Sequence, residues 1–155
     1  MNDEERFSSS VEARKKAMDL LARREHGSGE LARKLEKAGF DGDVAVEAIQ
    51  NLSAEGLQSD QRFVEVFVQS RINQGKGPVR IRSELAERDI NPGIVEDVLD
   101  ETGQDWNALA REIRRKKFGT EQPVEFKEKA RQMRFLQYRG FEPDQIQLAV
   151  SAHEE

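Results

Sequence analysis

The chain has 155 residues, no cysteine and only two histidines. Without cysteine there are no disulfide bonds and no cysteine-ligated metal, and a reducing cytosol is the expected compartment. No apolar run approaches the roughly 20 residues that a membrane-spanning helix needs. The first residues carry neither a basic head nor an apolar stretch, so we expect no signal peptide. These absences predict a cytoplasmic protein without a membrane partner.

Residues that could carry catalysis are few and scattered. His26 stands at a predicted helix end and His153 near the chain end, so we expect capping or solvent-exposed roles for both. Gly75-Lys76-Gly77 lacks the P-loop spacing and follows a helix instead of a strand. Asp41-Gly42-Asp43 contains only a fragment of a calcium loop, which favours a turn and an N-cap. We therefore predict no enzymatic activity, no metal and no cofactor.

Hydrophobic residues make up 36% of the chain and charged residues 35%, and the apolar residues recur at helical intervals. Spacings of i, i+3, i+4 and i+7 predict amphipathic helices over 11–26, 60–73 and 105–118. No segment alternates convincingly over the length of a strand. The sequence therefore predicts an all-α protein.

A weak internal repeat organises the helices. Three segments that begin at Leu35, Leu85 and Leu136 align without a gap. Each segment ends a helix, turns, buries one large residue and starts another helix, as in stacked supersecondary units. The large residues are Phe40, Ile90 and Phe141.

The residues at the helix ends fit this repeat. Gly39 and Gly140 stand where a helix commonly ends in a left-handed residue, and Gly56 follows the helix 44–54. Proline suits the first helical position, where its missing N–H costs nothing. The predicted N-caps and first-turn prolines are Asp43, Asn91, Asp105, Pro92 and Pro143.

One further helix precedes each pair, which predicts three tandem three-helix units, about nine helices, in an elongated, curved stack. The boundaries are a flexible N-terminus over 1–10 and units over 11–57, 58–103 and 104–155. Each unit is near the size at which an isolated core is marginal, so faces between units should stabilise the stack. We expect a monomer.

The net charge of −5 hides a segmented distribution. Residues 61–88 hold six cations and three acids, and residues 89–105 hold six acids and no cation. Residues 111–139 hold ten cations and four acids. Such segments are typical of solvated helix faces, but they also leave local basic surfaces on an acidic protein.

The most informative basic surface lies at the turn after the helix 60–73. That helix carries Phe63 and Phe67 on its predicted core face, and the next helix begins at Pro78. Glycines let the turn approach a partner closely, and a helix N-terminus adds positive potential. This corner suits phosphates or a carboxylate patch on another protein. Its four cations, with no acid between the first and the last, are Arg71, Lys76, Arg80 and Arg82.

A second set of candidate contacts lies in the third unit. Partner or phosphate binding is also assigned there to Arg114, Arg115, Lys116 and Lys117. Phe135 and Tyr138 stand among arginines, which fits either a stacking surface for single-stranded nucleic acid or a partly buried helix with basic edges. Trp106 begins a helix and is placed to pack between units.

Several short motifs, in this order and at these spacings, resemble the RecX family. The resemblance covers nearly the whole chain. It implies a bacterial regulator that binds the RecA–single-stranded-DNA filament and lowers strand exchange, ATP hydrolysis and coprotease activity, without catalytic residues. The motifs are Gly39–Asp41 (GFD), Glu55–Leu57 (EGL), Asp60–Phe63 (DQRF), Phe67–Arg71 (FVQSR), Gly75–Pro78 (GKGP) and Arg80–Leu85 (RIRSEL).

The competing interpretation is a module that binds single-stranded or duplex DNA without RecA. The helix 78–89 is placed like a recognition helix, but its cations concentrate at the N-terminus, which suits phosphates better than base edges. The acidic segment 89–105 argues more against autonomous DNA binding than against RecA binding. Groove binding and capping of filament ends both remain open.

Overall fold

The computed structural model describes residues 2–151, and these form ten α-helices and no strand. The all-α prediction is confirmed. No helix within that range is long and apolar enough to cross a membrane. The helices are α1 (Asp3–Phe7), α2 (Ser10–Arg23), α3 (Ser28–Lys37), α4 (Gly42–Ala54), α5 (Asp60–Asn73), α6 (Pro78–Glu87), α7 (Pro92–Glu101), α8 (Trp106–Phe118), α9 (Phe126–Arg139) and α10 (Pro143–Ala149).

The helices group into three tandem units, α2–α4, α5–α7 and α8–α10, and they pack mainly within these groups. Each unit has its own apolar core, as the repeat predicts. The accessible surface of 9467 Å² exceeds the roughly 7,900 Å² expected for a compact monomer of 17.7 kDa. This excess fits the predicted elongated stack, while the unit boundaries stay a prediction.

The repeat is confirmed by equivalent burial. Leu35, Leu85 and Leu136 are all fully buried. The large residues that follow them are also buried, with exposed fractions of 5%, 5% and 2% for Phe40, Ile90 and Phe141. One local core pattern therefore generates all three units.

The turn inside each repeat needs a left-handed residue. Gly39 and Gly140 have φ of 111° and 100°, and the equivalent residue of the second unit, Asp89, has φ of 59°. Aspartate is among the few non-glycine residues that adopt this conformation at modest cost. The second unit thus keeps the turn without a glycine.

Most of the predicted helix starts are confirmed. Asn91 accepts a hydrogen bond from the Gly93 N–H at 2.7 Å, and Asp105 accepts one from the Ala108 N–H at 2.9 Å. The prediction for Asp43 is wrong, because α4 begins two residues earlier than predicted, at Gly42, and Asp41 is its N-cap. The Asp43 carboxylate accepts the neighbouring Val44 N–H instead.

The segment 1–10, predicted as a flexible N-terminus, contains helix α1. The Phe7 ring packs edge-on against Phe40, with centroids 5.6 Å apart, and the Phe7 carbonyl accepts the Asp41 N–H at 3.2 Å. Its five residues include three acids and show no amphipathic pattern, so hydrophobic periodicity did not predict this helix. The Phe7 contacts hold α1 against the first unit.

Trp106 packs against both the second and the third cores, together with Leu109. The predicted position of Trp106 between units is confirmed. The indole joins the two units through apolar contact.

Candidate functional site: the basic joint between the second and third units

The turn before α6 docks directly on the third unit. The Gly77 N–H donates to the Arg139 carbonyl at 2.8 Å, and the Val79 N–H donates to the Gly140 carbonyl at 2.9 Å. A Cβ atom at Gly77 would overlap the main chain of Gly140, and one at Gly140 would overlap Arg80. The glycine at 77 therefore permits a close approach within the chain, whereas the sequence suggested a close approach to an external partner.

This docking also changes the prediction of an anion site at the helix start. The C-terminus of α9 meets the N-terminus of α6, so the negative end of one helix dipole faces the positive end of the other. Pro78 has no N–H, and the N–H groups on either side of it both bind the third unit. Carbonyls of the same chain thus occupy the place that was predicted for an external anion.

Two arginines of the corner share one acid on α6. Arg71 Nε lies 2.7 Å from Glu84 Oε1, and Arg80 Nε lies 2.9 Å from Glu84 Oε2. Burial acts to raise the pKa of Glu84, but hydrogen bonds from Arg71 and Arg80 outweigh it, so the pKa lies below its ordinary value. The carboxylate stays ionised and neutralises part of the corner.

Arg82 faces a different side of α6, as its separation of about 200° from Arg80 around the helix requires. It pairs with Glu96 at 2.7 Å and with Glu142 at 3.0 Å. No acid lies in the window between Arg71 and Arg82, but acids from outside that window neutralise part of the corner. Through Glu142, Arg82 also ties the second unit to the third.

Lys76 differs from the other three cations of the corner. No ion pair joins it to a carboxylate anywhere in residues 2–151. Burial and then repulsion from Arg80 and Arg139 lower its pKa. The side chain is half-buried. Around Lys76 the positively charged side chains outnumber the carboxylates.

Arg114 is 3% exposed and lies inside the third unit. Its guanidinium donates to Gln132 Oε1 at 3.1 Å and to the Gly119 and Glu121 carbonyls at 3.0 and 3.3 Å. Burial lowers its pKa. Its prediction as a binding residue needs correction, because this side chain fastens the loop between α8 and α9 and leaves no surface for a partner.

The three cations after Arg114 lie on the surface. Arg115 and Lys116 both pair with Glu112, at 2.8 and 3.9 Å, and all three side chains are substantially exposed. The Lys117 ammonium lies 5.7 Å from the centroid of the Phe135 ring. Their positions leave them accessible, with Lys117 on an aromatic surface.

Tyr138 is 74% exposed, and the Arg80 guanidinium lies 5.4 Å from its ring centroid. Phe135 is partly buried against the third core and packs edge-on against Phe118 at 5.3 Å. Of the two interpretations of this pair, a buried helix edge describes Phe135, and an open aromatic face describes Tyr138.

Comparison with known proteins identifies the family. The models of the first, second and third three-helix domains of RecX match residues 13–52, 59–99 and 104–150. Regulatory protein RecX of Halorhodospira halophila is 43% identical over 148 residues, which cover 96% of this chain and 92% of that protein. The chain belongs to the RecX family. The resemblance drawn from the motifs is confirmed.

Other RecX proteins agree in sequence and in fold. Regulatory protein RecX of Pseudomonas savastanoi pv. phaseolicola is 46% identical over 140 residues, which cover 90% of each chain. The crystal structure of RecX from Lactobacillus salivarius has 20% identity and a TM-score of 0.77, covering 91% of this chain and 94% of that one. A second crystal structure of regulatory protein RecX has 18% identity, a TM-score of 0.79, and covers 91% of this chain and 72% of the other.

In this RecX-family chain, the joint between the first and second units holds a buried histidine. His26 is 1% exposed, with Nδ1 3.0 Å from the Arg24 carbonyl and Nε2 2.9 Å from the Lys34 ammonium. Since a carbonyl only accepts, Nδ1 carries the proton and Nε2 accepts. Burial lowers the pKa of His26. The predicted solvent role is wrong for His26, whereas its bond to the carbonyl of Arg24, the C-cap residue of α2, fits the predicted capping role. His153 lies outside the described residues.

The rest of this first joint is also made by side chains. The His26 carbonyl accepts from Gln58 Nε2 at 3.1 Å, and the Ser28 N–H donates to Asp60 Oδ1 at 2.8 Å. Ion pairs join Arg33 to Asp89 at 2.8 Å and Arg62 to Glu25 at 3.1 Å. Across residues 2–151, no group of three His, Asp or Glu side chains is arranged to hold a metal.

Proposed function

We propose that this RecX-family protein binds the RecA–single-stranded-DNA filament and inhibits RecA strand exchange, ATP hydrolysis and coprotease activity. Relatives named regulatory protein RecX match it over nearly the full length of both chains, which supports a regulatory role. An elongated stack of three units suits contact with several subunits of a filament. The protein acts as a cytoplasmic monomer and performs no catalysis in this proposal.

The observation that carries the proposed contact is the surplus of positive charge at Lys76. Its charge is left for a partner, whereas the neighbouring arginines are already paired. The Arg82–Glu96 pair is exposed and contributes little free energy, so Arg82 can exchange its acid for groups on a filament. The pairs of Arg71 and Arg80 with Glu84 are more buried and exchange less readily. The proposed contact set on this joint and on α8 is Arg71, Lys76, Arg80, Arg82, Arg115, Lys116 and Lys117, without Arg114.

The test is a RecA ATPase assay on single-stranded DNA into which the full chain is titrated. We expect wild-type protein to inhibit, and Lys76→Ala to need about tenfold more protein, which corresponds to about 1.4 kcal/mol of lost binding. Lys127→Ala removes one exposed lysine from the first turn of α9 and is the matched control. Melting temperatures of all three proteins should agree.

Two results would contradict the proposal at different levels. An ATPase rate that stays constant at saturating wild-type protein would reject RecA inhibition itself. Equal inhibition by wild type and Lys76→Ala would reject only the contact surface. A selective loss in Lys127→Ala would move that surface to α9.

A further inference from the structure

Aromatic and cationic side chains alternate along one edge of the third unit. The Arg131 guanidinium lies 5.0 Å from the centroid of the Phe118 ring. Phe118 packs edge-on against Phe135, with an interplanar angle of 88°. Attraction between the guanidinium and the face of the ring orients the Arg131–Phe118 pair. These contacts begin a row that leads from α8 and α9 toward the joint.

The row continues to the turn before α6. Lys117 Nζ and the Arg139 guanidinium each lie 5.7 Å from the Phe135 ring centroid. Arg139 Nη2 donates to the Gln74 carbonyl at 3.2 Å, so its charge lies against the turn that carries Lys76. Cations of two different units thereby come together.

Tyr138 and Arg80 form the end of the row in the second unit. The Arg80 guanidinium lies over the Tyr138 ring, and its Nη1 donates to the Tyr138 carbonyl at 3.4 Å. Tyr138 keeps 74% of its surface exposed. A large aromatic ring that is held by a cation and left open to solvent is available to stack on a ligand.

The row has more positive than negative charge. Within residues 2–151, Lys76, Lys117 and Arg139 make no ion pair with a carboxylate, while Glu84 and Glu128 are each engaged by arginines. The Arg139 Nε atom is buried and has no hydrogen-bond partner. Lys117 lies against the Phe135 ring, and Arg139 lies against that ring and the Gln74 carbonyl, so neither contact neutralises their charge. The charges of Lys76, Lys117 and Arg139 remain for an external anion.

We propose that this row is a composite track for single-stranded nucleic acid. Lys76, Lys117 and Arg139 contact backbone phosphates, and Tyr138 stacks on a base. Every base has a ring face, so stacking of this kind tolerates any sequence. A carboxylate surface on a protein would engage the cations but would leave the exposed ring without a role. The track exists only when the second and third units are docked.

The track adds to the proposed RecA inhibition and is measured without RecA, so each proposal fails independently of the other. The probe is a fluorescein-labelled thymidine oligonucleotide of about 20 nucleotides, long enough for one binding site. Fluorescence anisotropy with the full chain gives the Kd at several salt concentrations between about 50 and 200 mM. A polyglutamate of equal charge and a duplex of equal length serve as competitors.

Lys76→Ala/Lys117→Ala should weaken binding at least about tenfold and reduce the slope of log K against log salt by about 1.4, the value for two single-strand phosphate contacts. The charge-matched control, Lys15→Ala/Lys16→Ala, removes two exposed lysines of α2 and should bind like wild type. Unchanged melting temperatures exclude a folding defect as the cause.

Tyr138→Ala should weaken binding about tenfold with the salt slope unchanged, because it removes stacking and no charge. Tyr138→Phe keeps the ring and should bind like wild type. Several results would overturn the track: no binding by wild type, equal losses in the two lysine pairs, or wild-type affinity in Tyr138→Ala. Polyglutamate that competes as well as the oligonucleotide would overturn it in favour of an acidic protein surface, and tighter binding of the duplex would do so in favour of double-stranded DNA.

Discussion

At the joint between the first and second units, the start of α3 faces the turn that follows α6. At the joint between the second and third units, the start of α6 faces the turn that follows α9. A Cβ at Gly27 would meet the tip of the Ile90 side chain at 3.1 Å, whereas one at Gly77 would overlap the main chain of Gly140. Equivalent helix ends therefore meet through side chains in one joint and through the backbone in the other.

The difference sets the stiffness of each joint. The Arg33–Asp89 pair across the first joint is 51% and 72% exposed, and such pairs contribute about 0–1 kcal/mol. The main-chain bonds from Gly77 and Val79 immobilise no long side chain. Comparison of the two teaches that a repeated unit does not imply a repeated strength of contact. We expect the first joint to open before the second.

The largest loss of stability is expected from a substitution in the core of the second unit, which takes part in both joints. Phe67 is 8% exposed, and the Arg71 and Arg88 guanidinium groups lie 4.1 and 4.9 Å from its ring centroid. Phe67→Ala should lower the free energy of unfolding by about 3–5 kcal/mol in a urea melt. Val66→Ala, at a 58% exposed position of the same helix, is the control and should cost less than about 0.5 kcal/mol. A loss below about 1 kcal/mol in Phe67→Ala would contradict its place in the core.

The next prediction concerns a substitution that should disrupt the second joint and leave the first intact. Gly77→Ala should destabilise the protein by about 1–3 kcal/mol, since the backbone of Gly140 has to move away. Gly27→Ala is the equivalent change in the first joint and should cost less than about 1 kcal/mol, because only the flexible end of Ile90 has to shift. Urea unfolding of both variants measures the difference. Equal losses would mean that the two joints are packed alike.

The smallest effect concerns pH and only the first joint. The unfolded state takes up a proton on histidine near pH 6.5, whereas burial lowers the pKa of His26 in the folded state. The unfolded state therefore binds more protons as the pH falls, so stability is complete above about pH 6.5 and declines below it. Glu30 and Glu84, whose pKa values are lowered from 4.5, act at lower pH.

Urea midpoints of wild type and His26→Gln at several pH values between about 7.5 and 5 test this. The variant removes the imidazole and should show a flatter dependence than wild type, while the contributions of all other groups cancel in the comparison. A wild-type midpoint that is constant over this range, or an identical slope in both proteins, would show that His26 does not couple the first joint to pH.

Local patterns predicted the units, and contacts between distant residues escaped prediction. Leu35, Leu85 and Leu136 mark the repeat because each unit builds its own core from residues close in sequence. The pair of Arg82 with Glu142 joins residues 60 positions apart. Such a contact depends on the angle between units, which no local periodicity encodes.

The candidate site was predicted in part for the same reason. The clustering of cations around Lys76 follows from the sequence, and the Arg80–Glu84 pair follows from i, i+4 spacing on one helix. The acids that pair with Arg82 come from other helices and do not follow from it. Arg114 stood in a run of exposed cations and gave no sign of burial. His26 is enclosed through Gln58, which lies 32 residues away. At Lys76 the pattern and the structure agree, because no carboxylate forms an ion pair with its ammonium within residues 2–151.

A hydrogen bond between main-chain atoms places little constraint on the side chains of its residues, so it is hard to recognise in a sequence alignment. The bonds from Gly77 and Val79 to the end of α9 use atoms that every amino acid except proline supplies. Substitutions elsewhere can accumulate without touching them, as long as position 77 stays free of a side chain. In distant relatives, such as the crystal structure with 18% identity, we expect this joint to be marked by a glycine at the position of Gly77 in the GKGP motif.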